Sequence, residues 1–239
     1  MKLLFSANEK DVIRLNAHRA IELMVLNPLC YRREIKEIQV VILDTLSKCL
    51  VINPEDGLNA GGIEAFYNTL THSSSDIRHK SAQAMLLLAV SDRGKTEIIE
   101  KGMVPKLIEL LTDSNPEIQA SAAGALAFIC VKTDGRYACL KDSAIPNLLK
   151  CLLNSNSRVR ANALKALGCI AEAPEGRKLL RISLEEIESL MQDDNAAVRK
   201  HAKITADIIK WKPWYTEVKC PEDPVALFKQ NLKPTYLLK

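Results

Sequence analysis

The chain has 239 residues, of which 47% are hydrophobic, 26% charged and only 5% aromatic, with a formal net charge of +4. Nine Gly and ten Pro exclude a collagen-like or Pro/Gly-rich disordered chain, and a mild charge spread along the chain is not the dense basic stripe of a nucleic-acid binder. Abundant Leu, Ile and Ala with few aromatics is the composition of helices rather than strands.

The N-terminal run Met1-Lys2-Leu3-Leu4-Phe5-Ser6 turns polar too early for a signal peptide. No later stretch reaches the ~18 apolar residues of a spanning helix. Val12-Ile13-Arg14 opens a first apolar-periodic helix, and Glu37-Ile38-Gln39 a second that runs to Thr45-Leu46. Asp76-Ile77-Arg78, Glu117-Ile118-Gln119, Arg158-Val159-Arg160 and Ala197-Val198-Arg199 open four more. The anchors Ile13, Ile38, Ile77, Ile118, Val159 and Val198 are separated by 25, 39, 41, 41 and 39 residues.

Two further columns share this period. Ile63, Val104 and Ile145 each open a short apolar-periodic helix, and Pro105 and Pro146 suit a first helical turn. Gly94-Lys95, Gly135-Arg136 and Gly176-Arg177 mark the break before each following unit. A unit therefore reads as short helix, short helix, longer helix. This predicts an all-α, armadillo/HEAT-like right-handed superhelical solenoid of about five to six three-helix repeats.

Within the longer helices, Ile118, Ala122, Ala125, Leu126 and Ile129 fall on one face, as do Val159, Ala163, Ala166, Leu167 and Ile170. Alanine at 84, 125 and 166 predicts a close crossing by a neighbouring helix. The solenoid is expected over residues 1–212. The short first gap, around Asn27-Pro28-Leu29, predicts an incomplete N-terminal repeat. Residues 213–239, which hold Pro221, Pro224 and Pro234, read as a tail.

Chemistry is not evident in the sequence. No phosphate-binding glycine loop, zinc-binding His-Glu-x-x-His or nucleophile elbow occurs. His18, His72, His79 and His201 are scattered, with His79 reading as solvated surface and His72 as part of a loop. Gly61-Gly62 reads as a tight turn, and Glu185-Glu186 as carboxylates favoured at a helix start. Seven cysteines without a Cys-x-x-Cys pair, several in apolar runs, fit free thiols in a reducing compartment. The expectation is a protein with no catalytic residues, no metal and no cofactor.

Surface recognition remains. The residue after each anchor forms a semi-basic ladder that includes Arg78, Gln119, Arg160 and Arg199. It reads either as partner contacts or as a solvated helix start. Leu23, Lys48, Leu87, Phe128, Cys169 and Ile208 form a mostly apolar ridge that either tucks under a neighbour or faces the groove. Phe128 is the best single hot-spot candidate, because aromatics are scarce here and enriched at such positions.

The repeats resemble armadillo repeats over roughly residues 1–212. The tryptophan and asparagine columns with which importin-α grips basic peptides have no counterpart: the positions corresponding to the first hold Asp44, Gln83, Gly124, Lys165 and Ile204. The long, strongly basic groove of β-catenin is also unmatched. A closer resemblance is to the radial spoke head 14 homologue family of ciliary and flagellar axonemes. It is carried by Ile42-Leu43-Asp44-Thr45-Leu46, Ala122-Ala123-Gly124-Ala125-Leu126, Ile209-Lys210-Trp211-Lys212-Pro213 and above all Ala171-Glu172-Ala173-Pro174-Glu175-Gly176-Arg177-Lys178-Leu179-Leu180. The resemblance implies a non-catalytic structural part of the radial spoke in the axonemal cytoskeleton. Its partners would be other spoke subunits, with no small-molecule substrate, nucleic acid or membrane.

Overall fold

A computed structural model of the protein describes residues 36–212. The chain divides into two compact units, Met1–Ile209 and Lys210–Lys239. The predicted helix at Val12, the short gap near Pro28 and the tail from residue 213 lie outside the described residues.

Every regular element among the described residues is helical. After α1 (Lys36–Ile52), four three-helix units follow. The first is α2 (Pro54–Asn59), α3 (Gly62–Thr69) and α4 (Ser75–Leu88), the second α5 (Asp92–Glu100), α6 (Val104–Glu109) and α7 (Pro116–Ile129). The third is α8 (Thr133–Lys141), α9 (Ala144–Cys151) and α10 (Ser157–Ala171), the fourth α11 (Pro174–Leu180), α12 (Leu184–Ser189) and α13 (Ala196–Lys210). The short–short–long pattern read from the period is the observed one.

The anchor column forms the core. Ile77, Ile118, Val159 and Val198 are all fully buried, as are both five-residue faces assigned to α7 and α10. Consecutive long helices pack directly, α1 on α4, α4 on α7 and α7 on α10. The alanines at 84, 125 and 166 are each 0% exposed, and the equivalent Thr205 sends its hydroxyl to Leu164 O on α10 at 2.9 Å. Small side chains at this column let the long helices approach; a larger one would force them apart.

The glycine column needs a correction. Gly94, Gly135 and Gly176 lie inside the first turn of α5, α8 and α11 rather than at a break. A Cβ there would stand 2.0, 2.2 and 2.2 Å from the carbonyl oxygens of Leu88, Ile129 and Ile170. Each first helix therefore presses directly on the last turn of the preceding long helix. The next residue uses that proximity. Arg136 donates to Cys130 O at 2.9 Å and Val131 O at 3.0 Å, and Arg177 to Ala171 O at 3.1 Å and Glu172 O at 3.3 Å. These carbonyls, orphaned at a helix end, are thereby capped.

The turn read at Gly61-Gly62 is present: Gly61 takes φ +74°, and a Cβ on Gly62 would stand 2.7 Å from Gly57 O. Glu185 and Glu186 occupy the first turn of α12. The described cysteines 49, 130, 139, 151 and 169 are free. Burial pushes the Cys151 thiol up to about 11, and the Cys139 hydrogen bond together with burial raises that of Cys130, so both behave as small apolar groups.

Candidate protein-binding face

Three of the long helices are launched by the same local chemistry. Asn115, Asn156 and Asn195 cap α7, α10 and α13, their Oδ1 atoms accepting from the amides of Glu117, Arg158 and Ala197, each at 2.9 Å. Two residues earlier, Asp113, Asn154 and Asp193 accept from the amides of those same asparagines at 2.9, 2.8 and 2.8 Å. His72 does this work ahead of α4, its Nδ1 accepting from the Ser74 amide at 3.0 Å.

The ladder residues close onto these loops. Arg78 donates to His72 O at 2.9 Å, Gln119 to Asp113 O at 2.6 Å, Arg160 to Asn154 O at 2.7 Å and Arg199 to Asp193 O at 2.6 Å. Three of them also reach the next repeat. Arg78 holds Asp113 with paired bonds of 2.8 and 3.2 Å. Asn154 Nδ2 donates to Gln119 Oε1 at 2.6 Å. Arg160 grips Asp193 at 2.7 and 2.8 Å. These contacts link into one polar spine from His72 to Arg199. The spine is shielded along its length but not at its end: the Arg160 and Asp193 side chains are 15% and 7% exposed, whereas Arg199 is exposed. Arg160 holds the Asp193 carboxyl below its ordinary value of 3.8.

Of the five residues singled out from the sequence, then, Arg78, Gln119, Arg160 and Arg199 direct donors into the protein's own loops, and Phe128 stands apart from them with 39% of its surface exposed. Of the rest of the ridge, Leu87, Cys169 and Ile208 are half-buried against the core, and Leu23 lies outside the described residues. Val90 and Val131, three residues beyond Leu87 and Phe128, are exposed. The long-helix face thus carries apolar side chains anchored at one edge and open at the other, the form of a surface that can exchange water for a partner.

His79 is half-buried rather than solvated; burial first, then the charge of Lys80, lowers its pKa. Asp113 and Asn154 were not singled out by sequence reasoning, although the Asp/Asn-x-Asn motif recurs at 113–115, 154–156 and 193–195 and could have flagged them. Among the described residues no group of three or more His, Cys, Asp or Glu is placed to hold a metal. No described helix is long and apolar enough to cross a membrane.

Residues 104–206 match the family model of HEAT repeats. A designed armadillo repeat protein, solved in complex with the peptide (KR)4, superposes with a TM-score of 0.71 at 18% identity, covering 84% of this chain and 86% of that one. The fold is an armadillo-like repeat solenoid. A second set of computationally designed armadillo repeat proteins, made for modular peptide recognition, gives 0.68 at 19% identity over 85% and 94% of the two chains. An engineered protein gives 0.70 at 23% identity over 87% and 93%. No curated protein matches. In this armadillo-like solenoid the polar spine sits at the start of the third helices, and Phe128 lies towards the end of the third helix of the second complete unit.

Proposed function

We propose that the protein is a non-catalytic scaffold of the ciliary or flagellar radial spoke, located in the axoneme, that binds other spoke subunits through its third-helix face. The observation that carries the binding role is that face itself: an array of long helices, fixed in register by the spine, with Phe128 exposed on it and Val90 and Val131 exposed just past the ends of α4 and α7. Phe128 contacts the partner. Arg78, Gln119, Arg160 and Arg199 set the spacing at which the partner meets the helices.

The axonemal assignment rests on the sequence resemblance, and the structure helps to weigh its strongest stretch. In residues 171–180, Gly176 and Arg177 serve the helix junction and Leu180 is fully buried, so packing alone can require them. Leu179 is 54% exposed, so packing against the core does not require it. Affinity purification from ciliated cells tests this reading. Recovery of spoke subunits is expected, and a prey list without them would overturn it.

One observation favours a second reading, a cytosolic adaptor or transport factor that binds an extended peptide. A designed armadillo repeat protein of the same fold was solved with the peptide (KR)4. The affinity purification separates the two readings, since the adaptor predicts prey without spoke subunits.

A further inference from the structure

Charge that is dispersed along the sequence is segregated in space. On the long helices, α1 balances Lys36 and Lys48 against Glu37 and Asp44, and the only charged residue of α7 is Glu117. The helix α10 carries Arg158, Arg160 and Lys165 with no carboxylate, and α13 carries four Lys or Arg residues against Asp207 alone. The repeat period stacks these two helices, bringing cations some 40 residues apart in sequence onto one surface.

Several of these cations are already committed. Arg160 and Arg199 serve the spine, and Arg158 pairs with Glu117 at 2.5 Å. Lys165 and Lys200 differ. Lys165 reaches Asn162 Oδ1 at 3.4 Å, and among the described residues neither lysine pairs with a carboxylate. His201 records the resulting field: burial first, then the charges of Lys165 and Lys200, hold its pKa below 6.5.

Apolar surface borders this positive patch. Ile204, 43% exposed, holds on α13 the position that Lys165 holds on α10, and Phe128 lies one turn further along α7. A ligand running across the three helices meets cations and apolar groups together.

We infer that the α7–α10–α13 face takes an extended acidic segment of a protein partner, with carboxylates at Lys165 and Lys200 and apolar side chains against Phe128 and Ile204. This rests on the proposed binding role and adds the chemistry of what is bound. A polyanion such as RNA fits less well. Two lysines flanked by Ile and Phe neutralise few phosphates, and nucleic-acid affinity grows with the number neutralised. Carboxylates interspersed with apolar residues match the alternation.

An array of short peptides of varied composition, probed with the full chain, tests the inference. Acidic peptides with interspersed Leu or Phe should be enriched. For an enriched peptide read by fluorescence anisotropy, replacing Glu and Asp by Gln and Asn should weaken binding about tenfold, from two lost surface ion pairs. Lys165→Glu/Lys200→Glu should weaken it at least as much, whereas the outer-helix control Lys150→Glu/Lys178→Glu should leave it unchanged. Circular dichroism melting confirms that the variants fold. Enrichment of neutral or basic peptides, or indifference to the Lys165/Lys200 reversal, would overturn the acidic assignment while leaving the binding face intact. Failure of every peptide to bind would overturn this inference, and loss of the spoke subunits from the affinity purification would separately overturn the binding role. Tighter binding of single-stranded RNA than of any acidic peptide would assign the patch to nucleic acid and overturn the inference.

Discussion

Arg160→Ala is expected to loosen the last described repeat from the rest. Arg160 makes two bonds to Asp193, at 2.7 and 2.8 Å, and two to the carbonyls of Asn154 and Ser155, at 2.7 and 2.9 Å. Asp193, 7% exposed in the intact chain, loses its guanidinium partner on truncation and keeps the bond from the Asn195 amide. Breaking a fully buried pair by removing one partner costs about 3–5 kcal/mol. Ser155 is exposed and its carbonyl can regain water, so the expected loss is about 2–3 kcal/mol. Because a repeat contacts only its neighbours, the loss should fall at the α10–α13 junction. Urea titration followed by circular dichroism reads the magnitude, and amide exchange should show faster opening of α13 with α4 unchanged. An Arg160→Ala/Asp193→Ala cycle should give a coupling of about 2 kcal/mol. The effect has a pH signature. Arg160 holds Asp193 below its ordinary 3.8 in the folded chain, so the pair's stabilisation is complete above that pH and is lost as pH falls through the folded value. Arg160→Ala should lack this acid-side loss. A change under about 0.5 kcal/mol, the size of an ordinary surface substitution, or additive single mutants, would refute the spine as a structural element.

Gly135→Ala places a Cβ 2.2 Å from Ile129 O, a backbone atom that cannot rotate away. The cost should be about 3 kcal/mol, at the upper end of overpacking, in a thermal melt. Ala125→Leu, at a fully buried crossing, should cost about 1–3 kcal/mol by the same assay, and an unchanged midpoint would remove Ala125 from the core. Phe128→Ala should cost about 1 kcal/mol of stability, because the side chain is 39% exposed and only partly covered, while weakening partner binding by about 1–2 kcal/mol in calorimetry.

The repeat architecture was legible because burial imposes periodicity. Ile77, Ile118, Val159 and Val198 had to recur, since each faces the same core. What the columns do could not be read so directly. Gly94, Gly135 and Gly176 look like punctuation in a sequence, and only the position of the preceding carbonyl shows that they are points of contact. Arg78 and Arg160 look like an open ladder because their carboxylate partners, Asp113 and Asp193, lie 35 and 33 residues away. Helical periodicity carries no information about pairing across repeats. The Asp/Asn-x-Asn motif held the missing half of that pattern. Lys165 and Lys200 stand apart in the same way: the chain's charge is mild, and stacking rather than sequence proximity concentrates it.

The central proposal is that a partner meets the chain at its third-helix face. Hydrogen–deuterium exchange with and without a spoke subunit recovered by affinity purification tests this most directly. Protection is predicted along α7, α10 and α13 around Phe128, Lys165 and Ile204, with α8 and α11 unaffected. Protection confined to α8 and α11, with the third helices unchanged, would contradict it.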